Sequence, residues 1–157
     1  MENNSAKTAM SRNDFSGPMK WIAGRGLITN EMKGLDYGCG HGSDADRLGF
    51  DGHDKYHCPR PDLLEEAAVE GEGYDVITCI YVLNTIPSSD ERLEVEKDLM
   101  RCLAPGGTAY LAVRNDKAHL NGWTSKKTWQ GMVSPISKKW ELIARNGHFR
   151  LYSYTAS

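Results

Sequence analysis

The sequence predicts an α/β fold, a three-layer sandwich whose mostly parallel sheet has about six strands and is closed by a C-terminal antiparallel hairpin. Strand-like segments alternate with short helical segments, an order typical of a parallel sheet with helices on both faces. Residues 74–83 and 108–113 are near-continuous apolar runs, as in strands buried on both sides. Near the end, Asn146-Gly147 separates two runs that carry apolar residues, which is a strong hairpin signal.

Length, charge and cysteine content limit the class of protein. The 157 residues suffice for one domain, so we expect a single domain over residues 1–157, with residues 1–9 as a loose N-terminal arm. Nineteen basic and 21 acidic residues give a net charge of −2, which excludes a domain held to nucleic acid mainly by charge but not a local basic patch. No apolar run approaches the roughly 18 residues of a membrane helix. Four cysteines without a CxxC pair, and the lack of a secretory signal, predict reduced thiols in a cytoplasmic protein.

Capping residues, glycines and apolar runs mark the expected elements. The expected helices cover residues 19–24, 43–48, 62–70 and 88–103. The expected strands cover residues 33–37, 50–53, 74–83, 108–113, 140–144 and 149–154. The expected helix start signals are Ser16 with Pro18, Ser43 or Asp44, Asp62, and the run Ser88-Ser89-Asp90-Glu91. Pro105-Gly106-Gly107 is expected to end the fourth helix.

The loop between the first strand and the second helix carries the clearest functional signal. It reads Asp36-Tyr37-Gly38-Cys39-Gly40-His41-Gly42. Glycines at such a place let the backbone approach a ligand and leave amide groups facing it, although a tight turn is the structural alternative. Asp54 ends the next strand, where a carboxylate can accept both hydroxyls of a ribose. The loop and Asp54 together predict a cofactor that carries a nucleoside.

The acidic residue before the glycines distinguishes between two such cofactors. Nicotinamide sites use a GxGxxG pattern, but here the third position is Ser43, and they give no reason for a carboxylate at Asp36. S-adenosylmethionine (AdoMet) gives a reason, because its amino group and its sulfonium are cationic. The loop therefore favours AdoMet over a nicotinamide cofactor.

The chain resembles the class I AdoMet-dependent methyltransferases, which have a Rossmann-like fold. The matching motifs are Leu35 to Gly42, Gly52-His53-Asp54, Tyr74 to Ile77 and Leu103 to Gly107. More narrowly, the chain is similar to a bacterial family of DNA phosphorothioation-associated methyltransferases. That similarity lies in Thr8 to Arg12, Asp36 to Gly40, Asp54 to Tyr56, Tyr81 to Asn84 and Thr124 to Gln130.

The resemblance implies a set of cofactor-binding residues, namely Asp36, Gly38, Cys39, Gly40, Gly42, Asp54 and Tyr81. It also exposes departures from the family. The helix after the glycine loop is about half the usual length, and no third strand is visible between residues 62 and 73, where the family holds the adenine. We expect no separate target-recognition domain. Asp54, as a strand-end carboxylate, is expected to contribute little to stability in the absence of ligand.

Methyl transfer requires alignment, and a base only when the acceptor starts protonated. The candidate catalytic residues are His41, Tyr81 and Asn84, each with a structural alternative: a solvated loop histidine, a packing tyrosine and a turn-capping asparagine. Motifs for DNA amino methylation and for cytosine C5 methylation do not match at Tyr81 to Asn84 or at Cys58-Pro59. The sequence does not identify the acceptor: the remaining candidates are a small molecule, or a nucleic-acid or protein group reached by unmarked residues, and the absence of any transfer is the alternative.

Two further groups of residues suggest additional binding sites. His53, Asp54, His57 and Cys58 suggest a metal site, but no second cluster completes four ligands, so we expect no metal. Lysines 126, 127, 138 and 139 with Trp129 and Trp140 suggest a basic aromatic patch for nucleic acid, with ordinary solvated surface as the alternative. Trp129 and Gln130 are candidates for covering the pocket, with ordinary packing of a Trp-containing loop as the alternative. The rival function is a non-catalytic AdoMet-binding protein, either a regulatory partner or a protein that sequesters the cofactor.

Overall fold

The computed structural model describes residues 14–40 and 42–157. Its helices are α1 (Gly17–Gly24), α2 (Ser43–Leu48), α3 (Pro61–Ala67) and α4 (Ser89–Arg101). Its strands are β1 (Gly34–Tyr37), β2 (Asp51–His53), β3 (Tyr74–Ile80), β4 (Leu103–Arg114), β5 (Asn121–Trp123), β6 (Trp129–Gly131), β7 (Glu141–Arg145) and β8 (Phe149–Thr155). Short 3-10 helices cover Leu83–Thr85 and Lys117–His119. The expected N-terminal arm lies outside the described residues.

Six strands form one sheet in the order β2-β1-β3-β4-β8-β7. The first four are parallel, and β8 and β7 run antiparallel as the closing hairpin. This confirms the predicted fold. The expected lack of a third family strand is also confirmed, because residues 54–73 contain α3 and no strand beyond a single bridge between Asp54 and Cys58. The two-stranded β5–β6 hairpin was not predicted.

Alternating apolar residues bury both faces of the sheet, which makes three layers. On one face, Ile77 and Leu111 pack in a cluster with Leu64 of α3 and Leu99 of α4. On the other face, Val76, Tyr110 and Leu151 pack in a cluster with Met19 and Ile22 of α1 and Ala45 of α2. No helix in the described part of the chain is long and apolar enough to cross a membrane.

Two of the expected helix starts are confirmed. The Ser16 hydroxyl accepts a hydrogen bond from Met19 N–H (3.4 Å), with Pro18 in the first turn of α1. The Ser88 hydroxyl accepts one from Glu91 N–H (3.3 Å) at the start of α4.

The other expected helix starts are wrong. Gly42, in the left-handed conformation (φ +83°), occupies the cap position of α2, so neither Ser43 nor Asp44 does. Arg60 occupies that position in α3, and Asp62 lies inside the first turn and pairs with the Arg60 guanidinium instead. In both cases a glycine or proline beside the helix decides where it begins.

The expected stop at Pro105-Gly106-Gly107 is also wrong, because α4 ends at Arg101 and these residues lie within β4. The register of β4 against β3 jumps from Tyr74↔Leu103 to Val76↔Thr108, so the residues between them bulge. The backbone packs closely there: a Cβ on Gly107 would lie 2.6 Å from the Tyr74 carbonyl oxygen. The turn between β7 and β8 is closed by the Asn146 side chain, which accepts from His148 N–H and Phe149 N–H.

One buried carboxylate fastens the connection between β6 and β7. Glu96 of α4 has no exposed surface. It accepts hydrogen bonds from Ile136 N–H (2.7 Å), Ser137 N–H (2.9 Å) and the Trp140 indole N–H (3.1 Å). These bonds hold residues 132–140 over the α4 face of the sheet.

We expect Glu96→Ala to lower the free energy of unfolding by about 2–4 kcal/mol, because the buried Trp140 indole N–H and two part-buried backbone N–H groups lose their acceptor. Urea denaturation measures this loss. Glu94→Ala on the exposed side of the same helix is the control, with an expected change of less than about 0.5 kcal/mol. Equal effects of the two substitutions would show that the Glu96 contacts contribute nothing.

Candidate functional site

The parallel strands place their carboxyl ends at one edge of the sheet, which we call the carboxyl edge. It contains the ends of β1, β2, β3 and β4, and the antiparallel pairing of Arg114 with Phe149 brings the β7–β8 turn to the same edge. Ligands of open α/β sheets bind outside this edge. The predicted site residues that the structure describes lie after one of these strand ends, except Asp36, which lies within the last two residues of β1.

The glycine loop is built around three left-handed residues. Gly38, Gly40 and Gly42 have φ of +78°, +56° and +83°, a region that side chains with a Cβ rarely adopt. A Cβ on Gly38 would lie 2.3 Å from Val82 Cγ2, so the loop packs directly against the residues after β3. Gly38 N–H and Cys39 N–H donate to the His53 carbonyl oxygen at 2.6 and 3.1 Å. The glycines are therefore required by the loop's conformation as well as by any ligand.

Asp36, in β1, is a buried carboxyl group with 5% of its surface exposed. The Thr78 hydroxyl of β3 donates to its Oδ1 at 2.9 Å. Burial raises the pKa of Asp36 to about 7, against the Thr78 hydrogen bond, and the negative charges of Asp44 and Asp54 add to the rise. Within the described residues no Lys or Arg forms an ion pair with it. The group therefore carries a proton in acidic solution. Near neutral pH a cation placed beside it would favour loss of that proton to solvent.

Asp54, after β2, is 9% exposed and accepts three backbone hydrogen bonds. Its Oδ2 accepts from Gly40 N–H (2.8 Å), and its Oδ1 accepts from Tyr56 N–H (2.9 Å) and His57 N–H (3.1 Å). These bonds tie the glycine loop to the end of β2. The expectation that Asp54 contributes little to stability therefore conflicts with its contacts, because a buried carboxylate with three donors orders two loops.

Tyr81 follows β3 with a left-handed backbone (φ +61°), unusual for a residue with a large side chain. Its N–H donates to the Ala112 carbonyl oxygen at 2.9 Å. Cys39 lies half-buried in the glycine loop. Burial, with the negative charges of Asp36 and Asp54, raises the pKa of Cys39 to about 12, so its thiol stays protonated and is a poor nucleophile.

Asn84 is 1% exposed and connects three segments. Its Nδ2 donates to Gln130 Oε1 of β6 (2.8 Å), and its Oδ1 accepts from Arg114 N–H at the end of β4 (3.3 Å). Both polar ends of its side chain therefore serve the fold, and neither caps the turn to Pro87. Gln130, a candidate for covering the pocket, fastens the β5–β6 hairpin through this contact.

The remaining predicted residues are placed as follows. His41 lies outside the described residues. His53 Nδ1 accepts from Arg60 N–H (2.9 Å), and the described residues contain no group of three side chains suited to a metal ion. Trp140 is 8% exposed and bonded to Glu96, so it is not part of an exposed aromatic patch.

Sequence reasoning missed Thr78, and it did not identify an open groove of about 580 Å³ beside Tyr81. The groove runs from α1 to the β7–β8 turn, and its lining includes Lys20, Trp21, Tyr81, Asn146, His148 and Phe149. Thr78 lay in an apolar run and gave no signal of its own. The groove joins segments more than 60 residues apart, which only the strand order reveals.

Comparisons with known proteins match this architecture. Residues 13–156 match a family model described as a methyltransferase domain. Among solved structures, the N-methyltransferase NodS from Bradyrhizobium japonicum, determined with S-adenosyl-L-homocysteine, aligns with TM-score 0.56 and 12% identity over 97% of this chain and 96% of that chain. PH0226 from Pyrococcus horikoshii aligns with TM-score 0.58 and 13% identity over 88% and 90%.

A third structure, the magnesium protoporphyrin IX methyltransferase ChlM from Synechocystis, aligns with TM-score 0.50 and 17% identity over 87% of this chain and 79% of that chain. No curated protein matches the chain at a significant level. At these identities the solved structures establish the fold alone, whereas the family model covers nearly the whole chain. The glycine loop, the strand order and this match together establish that the chain belongs to the methyltransferase domain family.

Proposed function

We propose that the chain is an AdoMet-dependent methyltransferase whose cofactor binds at the carboxyl edge, over the glycine loop. The observation that carries this proposal is Asp36: a buried carboxyl group with a raised pKa, without a described cationic partner, directly before three left-handed glycines. A cationic ligand group beside Asp36 stabilises its ionised form and removes the cost of its burial. AdoMet provides such a cation, and NodS and ChlM bear the demethylated product in structures of the same fold.

The residues present suit the cofactor in three ways. Asp36 would hold the amino group. The backbone at Gly38, Gly40 and Gly42 would lie against the ligand because no Cβ intervenes there, although these N–H groups are already donated within the chain. Asp54 would accept a ribose hydroxyl on Oδ2, the oxygen that takes one amide bond, because Oδ1 already takes two. Cys39 and Tyr81 would border the cofactor on the loop and on the end of β3.

Bound AdoMet supplies a methyl group on positively charged sulfur: the acceptor's lone pair forms the new bond to carbon, and the electrons of the carbon–sulfur bond return to sulfur. The chain's contribution is alignment and exclusion of water, because no covalent catalysis is required. Asn84 acts as a positioning residue through Gln130 and Arg114. His41 and Tyr81 are the candidates for taking a proton from the acceptor.

The finer assignments are part of the same proposal. We place the chain near the phosphorothioation-associated methyltransferases on the motifs from Thr8 to Gln130, and treat residues 1–157 as one domain in the reducing cytoplasm. All four cysteines are free, and Cys79 and Cys102 are buried, which suits that compartment. The rival, a non-catalytic AdoMet-binding protein, would share the cofactor site and lack transfer.

Asp36→Asn tests the buried carboxyl group without any ligand. The pKa of Asp36 is raised from 3.8 to about 7 on folding, so its contribution to stability is fully present below about pH 4 and is lost as the pH rises through 7. Asparagine keeps an oxygen for Thr78 and carries no charge. From pH 5 to pH 8 we expect the free energy of unfolding of the variant, relative to wild type, to increase by roughly 2–3 kcal/mol in urea denaturation. Asp46→Asn on the exposed face of α2 is the control; a difference independent of pH would argue against a buried acid.

Asp54→Ala should show two separable effects. The free energy of unfolding without ligand should fall by about 1–3 kcal/mol, because Gly40, Tyr56 and His57 lose their acceptor. AdoMet affinity of the folded variant should fall by at least about tenfold, the scale of lost charge-assisted hydrogen bonds. Urea denaturation and calorimetry measure these effects, with exposed Lys55→Ala as the control. Wild-type affinity in the folded variant would exclude Asp54 from the ribose site.

Calorimetry of the full chain tests the cofactor directly. We expect AdoMet and S-adenosylhomocysteine to bind, and NAD and ATP to bind at least tenfold more weakly. Asp36→Asn should weaken AdoMet binding by at least tenfold and remove its strengthening between pH 6 and pH 7.5. NAD binding as tight as AdoMet would refute the proposal. Transfer of a labelled methyl group to any acceptor distinguishes the enzyme from the non-catalytic rival.

A further inference from the structure

The charges of the chain are divided along its length. Residues 1–98 carry 10 Lys and Arg against 19 Asp and Glu, a net charge of −9, and residues 99–157 carry 9 against 2, a net charge of +7. The overall charge of −2 conceals this division. Such asymmetry between two parts of a chain is found in proteins that bind nucleic acid or a membrane surface, and also in chains with a charged tail.

The strand order converts this division into two sides of the carboxyl edge. β2, β1 and β3 belong to the acidic part, and β4, β8 and β7 belong to the basic part. Asp36 and Asp54 therefore lie on one side, with the proposed cofactor site. Along the carboxyl edge, the first strand of the basic part is β4, which lies next to β3 and Tyr81.

Hydrogen bonds bring several basic segments to this side. Asn115, after β4, donates from its backbone N–H to the His148 carbonyl oxygen (2.9 Å) and from Nδ2 to the Asn146 carbonyl oxygen (2.7 Å). The β7–β8 turn, which follows Arg145, thus adjoins the 3-10 helix that begins at Lys117. The Asn84–Gln130 contact fixes the β5–β6 hairpin, with Lys126 and Lys127 at its tip, at the same edge.

Four of these cations have no carboxylate partner in the described part of the chain. They are Lys117, Lys126, Lys127 and Arg145, all exposed, and none takes part in a salt bridge there. Arg114, by contrast, pairs with Asp116. Exposed Trp123 lies on the same hairpin as the two lysines. We call these four cations the basic edge.

The groove beside Tyr81 lies between the two sides. It has aromatic residues, Trp21, Tyr81 and Phe149, with Lys20 and His148 among its lining. The guanidinium of Arg25 lies 3.7 Å from the centroid of the Trp21 ring and adds positive charge nearby. Val82, next to Tyr81, contacts the glycine loop at Gly38, so the groove begins beside the proposed cofactor site. Its volume admits one or two aromatic rings.

We propose that the acceptor is a single-stranded nucleic acid, with one base in the groove and the neighbouring phosphates on the basic edge. This inference rests on the proposed function and names its acceptor class. Aromatic residues that accept a base, beside cations that follow the backbone, are the recurrent means of binding single strands. Four cations outside the groove exceed the charge of roughly −2 on a nucleoside monophosphate, which favours a strand over such a nucleotide. A base within a duplex would reach the groove only after flipping.

Fluorescence anisotropy of the full chain, without cofactor, tests the proposal with a fluorescein-labelled 12-nucleotide single strand of mixed sequence, as DNA and as RNA. We expect binding of at least one of the two at 50 mM salt, with log K falling by about 2–3 for each tenfold increase in salt concentration, as contacts to three or four phosphates require. Lys126→Glu/Lys127→Glu and Arg145→Glu should each weaken binding by at least tenfold. Trp21→Ala should weaken it about fivefold or more.

Lys138→Glu/Lys139→Glu is the matched control, because it makes the same charge change at two exposed lysines. They precede Trp140, which contacts Tyr154, the partner of Ala109, so they lie about 17 Å along the sheet from Arg114. We expect this control to change affinity less than threefold.

Four results would overturn the proposal: no binding of either strand at 50 mM salt, an equal loss in the matched control, equal competition by mononucleotides, or preferential binding to phosphatidylserine vesicles. AdoMet calorimetry on the same variants should be unchanged. Failure of cofactor binding is therefore distinguishable from failure of strand binding.

Discussion

The neutralisation of one buried carboxyl group connects the fold of this protein to its proposed chemistry. Asp36 lies in β1, between β2 and β3, where the strand leads into the glycine loop, and among the described residues the Thr78 hydroxyl donates to it. Burial makes the ionised form costly, so the group must hold either a proton or a neighbouring cation. In the proposed site, part of the free energy of binding a positively charged ligand would come from relieving the cost of burying this carboxyl group.

Much of the fold could be predicted from the sequence because local signals and global packing agree. Local signals determine the structure at several places. These are the apolar runs at 74–83 and 108–113, the caps at Ser16 and Ser88, and the hairpin around Asn146. The failures occur where tertiary contacts decide. Asp62 has the chemistry of a cap but pairs with Arg60, and β4 begins before Pro105 because its bulge packs on Tyr74. Three-residue strands such as β5 and β6 have almost no local signal, since the Asn84–Gln130 contact holds them in place.

The candidate site could be predicted in part. The spacing of glycines and carboxylates in the sequence identifies them as candidates at strand ends. The structure brings five of them to one edge of the sheet: Asp36, Gly38, Gly40, Gly42 and Asp54. Spacing cannot show how a carboxylate is used: Asp54 accepts three amides and holds the glycine loop to β2, a role that only coordinates reveal. The division of charge was present in the sequence but hidden by a net value near zero. It gains meaning once the strand order places the acidic strands and the basic strands on opposite sides of Tyr81.

Without a third family strand, β2 forms the outer edge of the sheet. An uncovered strand edge generally invites another chain to pair with it. Here β2 contains three residues, about 10 Å of backbone, and the Asp54–Cys58 bridge turns the chain back directly after it. At the opposite edge, β7 begins and ends with the charged residues Glu141 and Arg145. Both margins of the sheet are therefore poor templates for intermolecular β-pairing, so the small domain can dispense with an outer strand without becoming prone to aggregation.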